Sequence, residues 1–118
     1  MTAKQAKARG PTEAEFTRQV IKLAKLCGWR VAHFRPGRTA KGGWITAMSG
    51  DVGYPDLTLC HERRGIGLAV ELKVGRNKTS PEQDAWLDAF GACGFLVATW
   101  RPEAWDVIER TLKGELKV

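Results

Sequence analysis

Gly53-Tyr54-Pro55-Asp56-Leu57-Thr58-Leu59-Cys60-His61, then Glu62-Arg63-Arg64-Gly65, then Ile66-Gly67-Leu68-Ala69-Val70-Glu71-Leu72-Lys73-Val74 is the stretch on which the fold turns. Two strand-like runs, Asp56 to His61 and Gly67 to Val74, flank a short charged connection that ends in glycine, which is the pattern of an antiparallel hairpin. Glu71 follows Asp56 by fifteen positions. Side chains alternate along a strand, so Glu71 and Lys73 share one face while Val70, Leu72 and Val74 share the other. If the hairpin sets Asp56 opposite Glu71, two carboxylates converge with a lysine beside them. Such a group suits a metal-dependent phosphodiesterase, with hard oxygens for a divalent cation and an ammonium for a water or a phosphate. A central strand covered on both sides is ordinarily apolar throughout, so two charges on its second face call for water or a partner.

Outward from the hairpin, the chain alternates between helical and strand patterns. Upstream, Thr12 is an N-cap with Glu15 three places on, and Phe16, Val20, Leu23, Ala24 and Cys27 recur at helical spacing up to Gly28. A first helix is therefore expected from Glu13 to Cys27, and a strand from Trp29 to Phe34. Arg35 to Gly53 is glycine-rich and irregular, with a short strand conceivable at Trp44-Ile45. Downstream, Ser80-Pro81-Glu82-Gln83 opens a helix with serine at the N-cap, proline at N1 and glutamine at N3. Trp86, Leu87, Phe90 and Cys93 give that helix an apolar stripe. Phe95 to Trp100 reads as a buried strand, and Pro102 starts a last helix with Trp105, Ile108 and Leu112 inward. The order α-β-β-β-α-β-α, with a parallel crossover from the Leu68 strand to the Trp100 strand, predicts an α/β fold: a mixed central sheet flanked by helices.

A chain of 118 residues accommodates one domain, expected over residues 12–118 behind a mobile basic arm, 1–11, that carries Lys4, Lys7 and Arg9. No run approaches the ~20 apolar residues of a membrane span or resembles a secretory signal, which points to a cytoplasmic protein. Charge is uneven: residues 1–78 carry a net +9 and residues 79–118 a net −3. A basic front two-thirds suggests a polyanion-binding surface, although a merely soluble basic chain has the same arithmetic. Cys27, Cys60 and Cys93 are odd in number, lie in apolar segments and form no C-x-x-C, so buried reduced thiols are expected and zinc is not.

In sum, Gly53-Tyr54-Pro55-Asp56, Glu71-Leu72-Lys73 and a following helix with Gln83 resemble the PD-(D/E)XK nucleases. More narrowly, the chain resembles the virus-type replication-repair nuclease (VRR-NUC) family, in the stand-alone form of phages and bacteria. The resemblance spans about Glu13 to Trp100 and implies a restriction-endonuclease-like fold. It implies metal ligands Glu15, Asp56, Glu71 and the Leu72 carbonyl around Mg²⁺ or Mn²⁺, with Asp56, Glu71, Lys73 and Gln83 as the catalytic set. Glu15 and Gln83 also satisfy helix caps whatever else they do.

Phosphate contacts are expected from Arg35, Arg38, Lys41, Arg76 and Lys78, giving affinity for DNA without sequence reading. His33 and Trp44 are weaker candidates, the first near the site and the second for stacking. The resemblance implies a structure-selective DNA endonuclease similar to Holliday-junction resolvases, acting as a homodimer on branched DNA. A phage nickase, a flap or RNA nuclease, and a non-catalytic nucleic-acid-binding module on the same fold are the competing readings.

Overall fold

The computed structural model describes residues 10–34, 37–38, 44–45 and 49–115. Helix α1 (Glu13–Leu26) is followed by strand β1 (Arg30–His33), a two-stranded ribbon of β2 (Gly37–Arg38) and β3 (Trp44–Ile45), and the hairpin strands β4 (Leu57–His61) and β5 (Ile66–Leu72). Helix α2 (Pro81–Ala92), strand β6 (Leu96–Trp100), a 3-10 turn (Pro102–Ala104) and helix α3 (Trp105–Leu112) complete the chain. The main sheet has the order β1-β4-β5-β6. Its first three strands are antiparallel and the β5–β6 pair is parallel, so the expected mixed sheet with flanking helices is present.

Alternation along the strands divides the protein into two layers on either side of the sheet. Leu57, Leu59, Leu68, Val70 and Leu72 point to one face, where Phe16, Val20 and Ala24 of α1 and Ile108 and Leu112 of α3 close a fully buried core. Trp29 joins this core and donates its indole N–H to the Leu112 carbonyl at 2.9 Å, tying the start of β1 to the end of α3. Helix α2 lies over β5 and β6 on the opposite face. There Gly67 leaves room for the Phe95 ring, which would sit 2.7 Å from a Cβ at that position.

Both helix starts follow from sequence. Ser80 accepts from Gln83 N–H at 3.1 Å while Gln83 Oε1 accepts from Ser80 N–H at 2.9 Å, a complete capping box with Pro81 behind it. At α1, Thr12 Oγ1 accepts from Glu15 N–H, but Glu15 takes the Thr12 hydroxyl at 3.0 Å.

The structure alters several expectations. The last helix begins as a 3-10 turn, and β5 ends at Leu72, two residues short of Val74. The short strand expected at Trp44-Ile45 is present as β3, paired with β2 through Gly37 to Ile45 and Arg38 to Trp44. The cysteines are not buried: Cys27 is half-buried, and Cys60 and Cys93 are exposed free thiols. Alternation explains Cys60, because Leu57 and Leu59 face the core and turn Cys60 to the other face, beyond the span of α2 on β5 and β6. Cys93 is exposed because it is the C-cap of α2.

Candidate active site

At the end of the sheet where β4 begins, the antiparallel registers continue one step beyond the regular ladders. Leu57 faces Val70, so Asp56 faces Glu71, as the hairpin reading requires. The two carboxylates interlock with the opposite backbone. Asp56 N–H donates to Glu71 Oε1 at 3.0 Å, and Leu72 N–H donates to Asp56 Oδ2 at 2.8 Å. Each acid thus accepts an amide of the other's segment, which fixes both side chains on the α2 face.

Their environments differ. Glu71 is fully buried and Asp56 half-buried. Lys73 approaches from the same face, its Nζ 3.7 Å from Glu71 Oε2 and its side chain 17% exposed. Its backbone N–H donates to the Trp100 carbonyl at 3.0 Å, which anchors the residue to β6 beyond the end of β5. Glu71 Oε2 is buried and has no hydrogen-bond partner. Burial first, and the neighbouring Asp56 charge second, push the Glu71 carboxyl up from 4.5 to about 7, against the pull of Lys73.

This donor set fits a hard divalent cation. Two carboxylates held together by backbone donors, one with a buried oxygen that accepts no hydrogen bond, are a group whose shared negative charge a cation would offset. Asp56 and Glu71 supply the side-chain oxygens at hand. Glu15 caps α1 and lines a groove with Gln19, Lys22, Pro102 and Trp105; among the described residues no group of three His, Cys, Asp or Glu side chains is placed to hold a metal ion.

Gly53 shows why the loop into Asp56 has its sequence. Its φ is +95°, and a Cβ there would lie 2.6 Å from the backbone carbon of Glu82. The loop therefore passes directly over the first turn of α2, next to Gln83. Pro55 is buried behind it. Gln83 remains half-buried with its carbonyl oxygen committed to Ser80, which leaves its amide nitrogen to donate.

Of the expected phosphate contacts, Arg76 and Lys78 are exposed on the loop after β5. Arg35 and Lys41 lie outside the described residues, as do the basic arm residues before Gly10; Arg38 and Trp44 are described only as backbone of β2 and β3. His33 ends β1 opposite Leu57.

Two features were not legible beforehand. Arg101 donates from Nη1 to the Gly75 carbonyl at 3.1 Å and from Nη2 to the Asn77 carbonyl, clamping the loop that carries Arg76 and Lys78. Tyr54 bonds Thr58 Oγ1 at 2.9 Å and packs edge-on against Phe34, Trp86 and Phe90. No local pattern announces a contact across 24 to 26 positions. The Tyr54 cluster had a faint signal, an aromatic inside the Gly-x-Pro-Asp motif.

No curated protein sequence matches the chain. Among solved structures, Hjc from Archaeoglobus fulgidus, a Holliday junction resolvase from an archaeal hyperthermophile, aligns at 18% identity with a TM-score of 0.48, over 77% of this chain and 70% of that one. The VRR-NUC domain model matches residues 19–102. That match takes in the Gly53 loop, the interlocked acids, Lys73 and Gln83 and leaves Glu15 outside it. Since it covers well over half of the sequence, the chain belongs to the VRR-NUC domain family.

Proposed function

We propose that the protein is a metal-dependent, structure-selective DNA endonuclease, hydrolysing phosphodiester bonds at Asp56 and Glu71. The observation that carries this reading is the interlocked acidic pair with Lys73 at 3.7 Å from Glu71, inside the segment matched by the family. Asp56, Glu71 and the Leu72 carbonyl would hold Mg²⁺ or Mn²⁺. Bound there, the cation supplies Lewis-acid stabilisation and a water of lowered pKa.

The chain's own groups do the remaining work. Backbone N–H donors pin one oxygen of each acid, so both stay oriented without reorganisation. Lys73 presents an ammonium on the same face, suited to a non-bridging phosphate oxygen or to orienting the attacking water. Gln83, fixed by its cap, offers its amide nitrogen beside the Gly53 loop. Arg76 and Lys78 contact flanking phosphates from a loop that Arg101 holds. Such contacts position DNA without reading its sequence, which favours recognition of shape. A two-fold homodimer would present two such sites to a branched junction, whose own symmetry is two-fold. Light scattering of the protein in solution tests that assembly.

Cleavage of labelled four-way junction, flap and linear duplex, each with Mg²⁺, Mn²⁺ or EDTA, tests the activity. The expected result is cation-dependent cutting that favours branched substrates. Cutting that persists in EDTA would sink the metal reading, and equal rates on all three DNAs would remove the structural selectivity.

A further inference from the structure

The acidic pair belongs to a longer row. The β1–β4 register pairs His33 with Leu57, and Phe34 N–H donates to the Asp56 carbonyl at 3.2 Å. Phe34, Asp56 and Glu71 therefore stand side by side across three adjacent segments. Directly opposed residues share a face, with Cβ atoms about 5 Å apart. A ring in this row lies one side chain away from the carboxylates.

Phe34 is also unusual in its exposure. The residue is 51% exposed, whereas Tyr54, Trp86, Phe90 and Phe95 of the same aromatic cluster are half-buried neighbours packed on one another. The Phe34 ring meets Tyr54 edge-on, with centroids 5.8 Å apart and planes at 80°. Tyr54 in turn is fixed by its hydroxyl bond to Thr58 and by Trp86, whose indole N–H donates to the Asp51 carbonyl at 3.2 Å. The result is an apolar aromatic ring held from behind and open to solvent, beside a site for phosphate chemistry.

We propose that Phe34 stacks on the nucleobase adjacent to the phosphate bound at Asp56 and Glu71, and that the site thereby selects DNA in which this base is unpaired. The inference rests on the nuclease reading of the acidic pair. Within a duplex each base already stacks on both neighbours, so a protein ring finds a free π-face only where a base is unpaired, terminal or turned out of the helix. A rigid ring that needs no rearrangement collects that stacking energy with little entropic cost. Selectivity for branch points, gaps and flaps then arises at the site itself, in addition to any effect of overall DNA shape.

The test uses DNA carrying a fluorescent aminopurine beside a branch point or gap, mixed with the protein in EDTA so that nothing is cut. Wild type should quench the probe at the unpaired position and leave it unchanged within a paired duplex. Phe34→Ala and Phe34→Leu should both lose the quenching and weaken binding of gapped DNA about tenfold, while Phe34→Trp retains both. A role limited to packing Tyr54 would instead be rescued by Leu, which fills the same apolar contact without a π-face.

Wild-type behaviour in Phe34→Leu overturns the proposal, and so does unchanged quenching in Phe34→Ala. Circular dichroism of each variant establishes that it is folded. Adding Mg²⁺ separates the two readings. Protein that quenches but leaves every strand intact keeps the stacking and loses the nuclease. Protein that cuts without ever quenching keeps the nuclease and loses the stacking.

Discussion

Glu71 is a buried carboxyl whose surroundings disfavour its charged form. Its carboxyl is raised to about 7 by burial and by Asp56, so the folded protein binds that proton more tightly than the unfolded chain does. The stability linked to this group is complete below about pH 4.5 and is lost as pH rises through about 7. Without a cation, wild type should therefore lose stability relative to Glu71→Gln between pH 5 and pH 8 in urea titrations (~one proton's linkage). Mg²⁺ should restore wild type at pH 8 and leave Glu71→Gln unchanged; equal restoration of both would place the cation elsewhere. Lys73 lies beside Glu71, its side chain partly reached by solvent. Lys73→Ala should lower kcat by about a hundredfold or more while DNA binding in EDTA stays within about threefold of wild type. Loss of binding in parallel with activity would recast Lys73 as a phosphate anchor.

At the level of elements, the site is assembled by contacts between a loop, a helix start and a strand end. The Gly53 loop crosses the first turn of α2 so closely that a single methyl cannot be inserted. Gly53→Ala combines an unfavourable positive φ with a backbone clash and should cost about 2 kcal/mol or more of unfolding free energy. Its activity should fall more than that loss of folded protein explains, because the same loop delivers Asp56. Ser80→Ala removes one half of the α2 capping box and should cost about 1 kcal/mol by chemical denaturation. The Arg101 clamp acts on the loop holding Arg76 and Lys78. Arg101→Met should leave the melting temperature nearly unchanged yet flatten the dependence of DNA binding on salt by up to about two phosphate contacts. An unchanged slope would show that the loop reaches phosphates without the clamp.

For the whole molecule, one sheet serves two purposes because its faces are used differently. The α1 and α3 face is a closed apolar core, and no helix among the described residues is long and apolar enough to cross a membrane. Among the described residues α2 packs on β5 and β6, while Asp56, half-buried, and Phe34, exposed, lie at the neighbouring ends of β4 and β1. Much of this was legible from local signals. Ser80, Pro81 and Gln83 mark the start of α2, and the short link Glu62–Gly65 makes β4 and β5 an antiparallel hairpin. The alternation of Glu71 with Leu72 put acid and core on opposite faces, because strand periodicity depends on neighbouring residues alone. Tertiary structure decided what depends on residues distant in sequence. It set the interlock of Asp56 and Glu71 with each other's backbone. It exposed Cys60, since coverage of a face depends on where a separate helix comes to rest. It also placed Phe34 beside Asp56 and Arg101 against Gly75, pairings written in strand register and in chain reversals that no local pattern of residues contains.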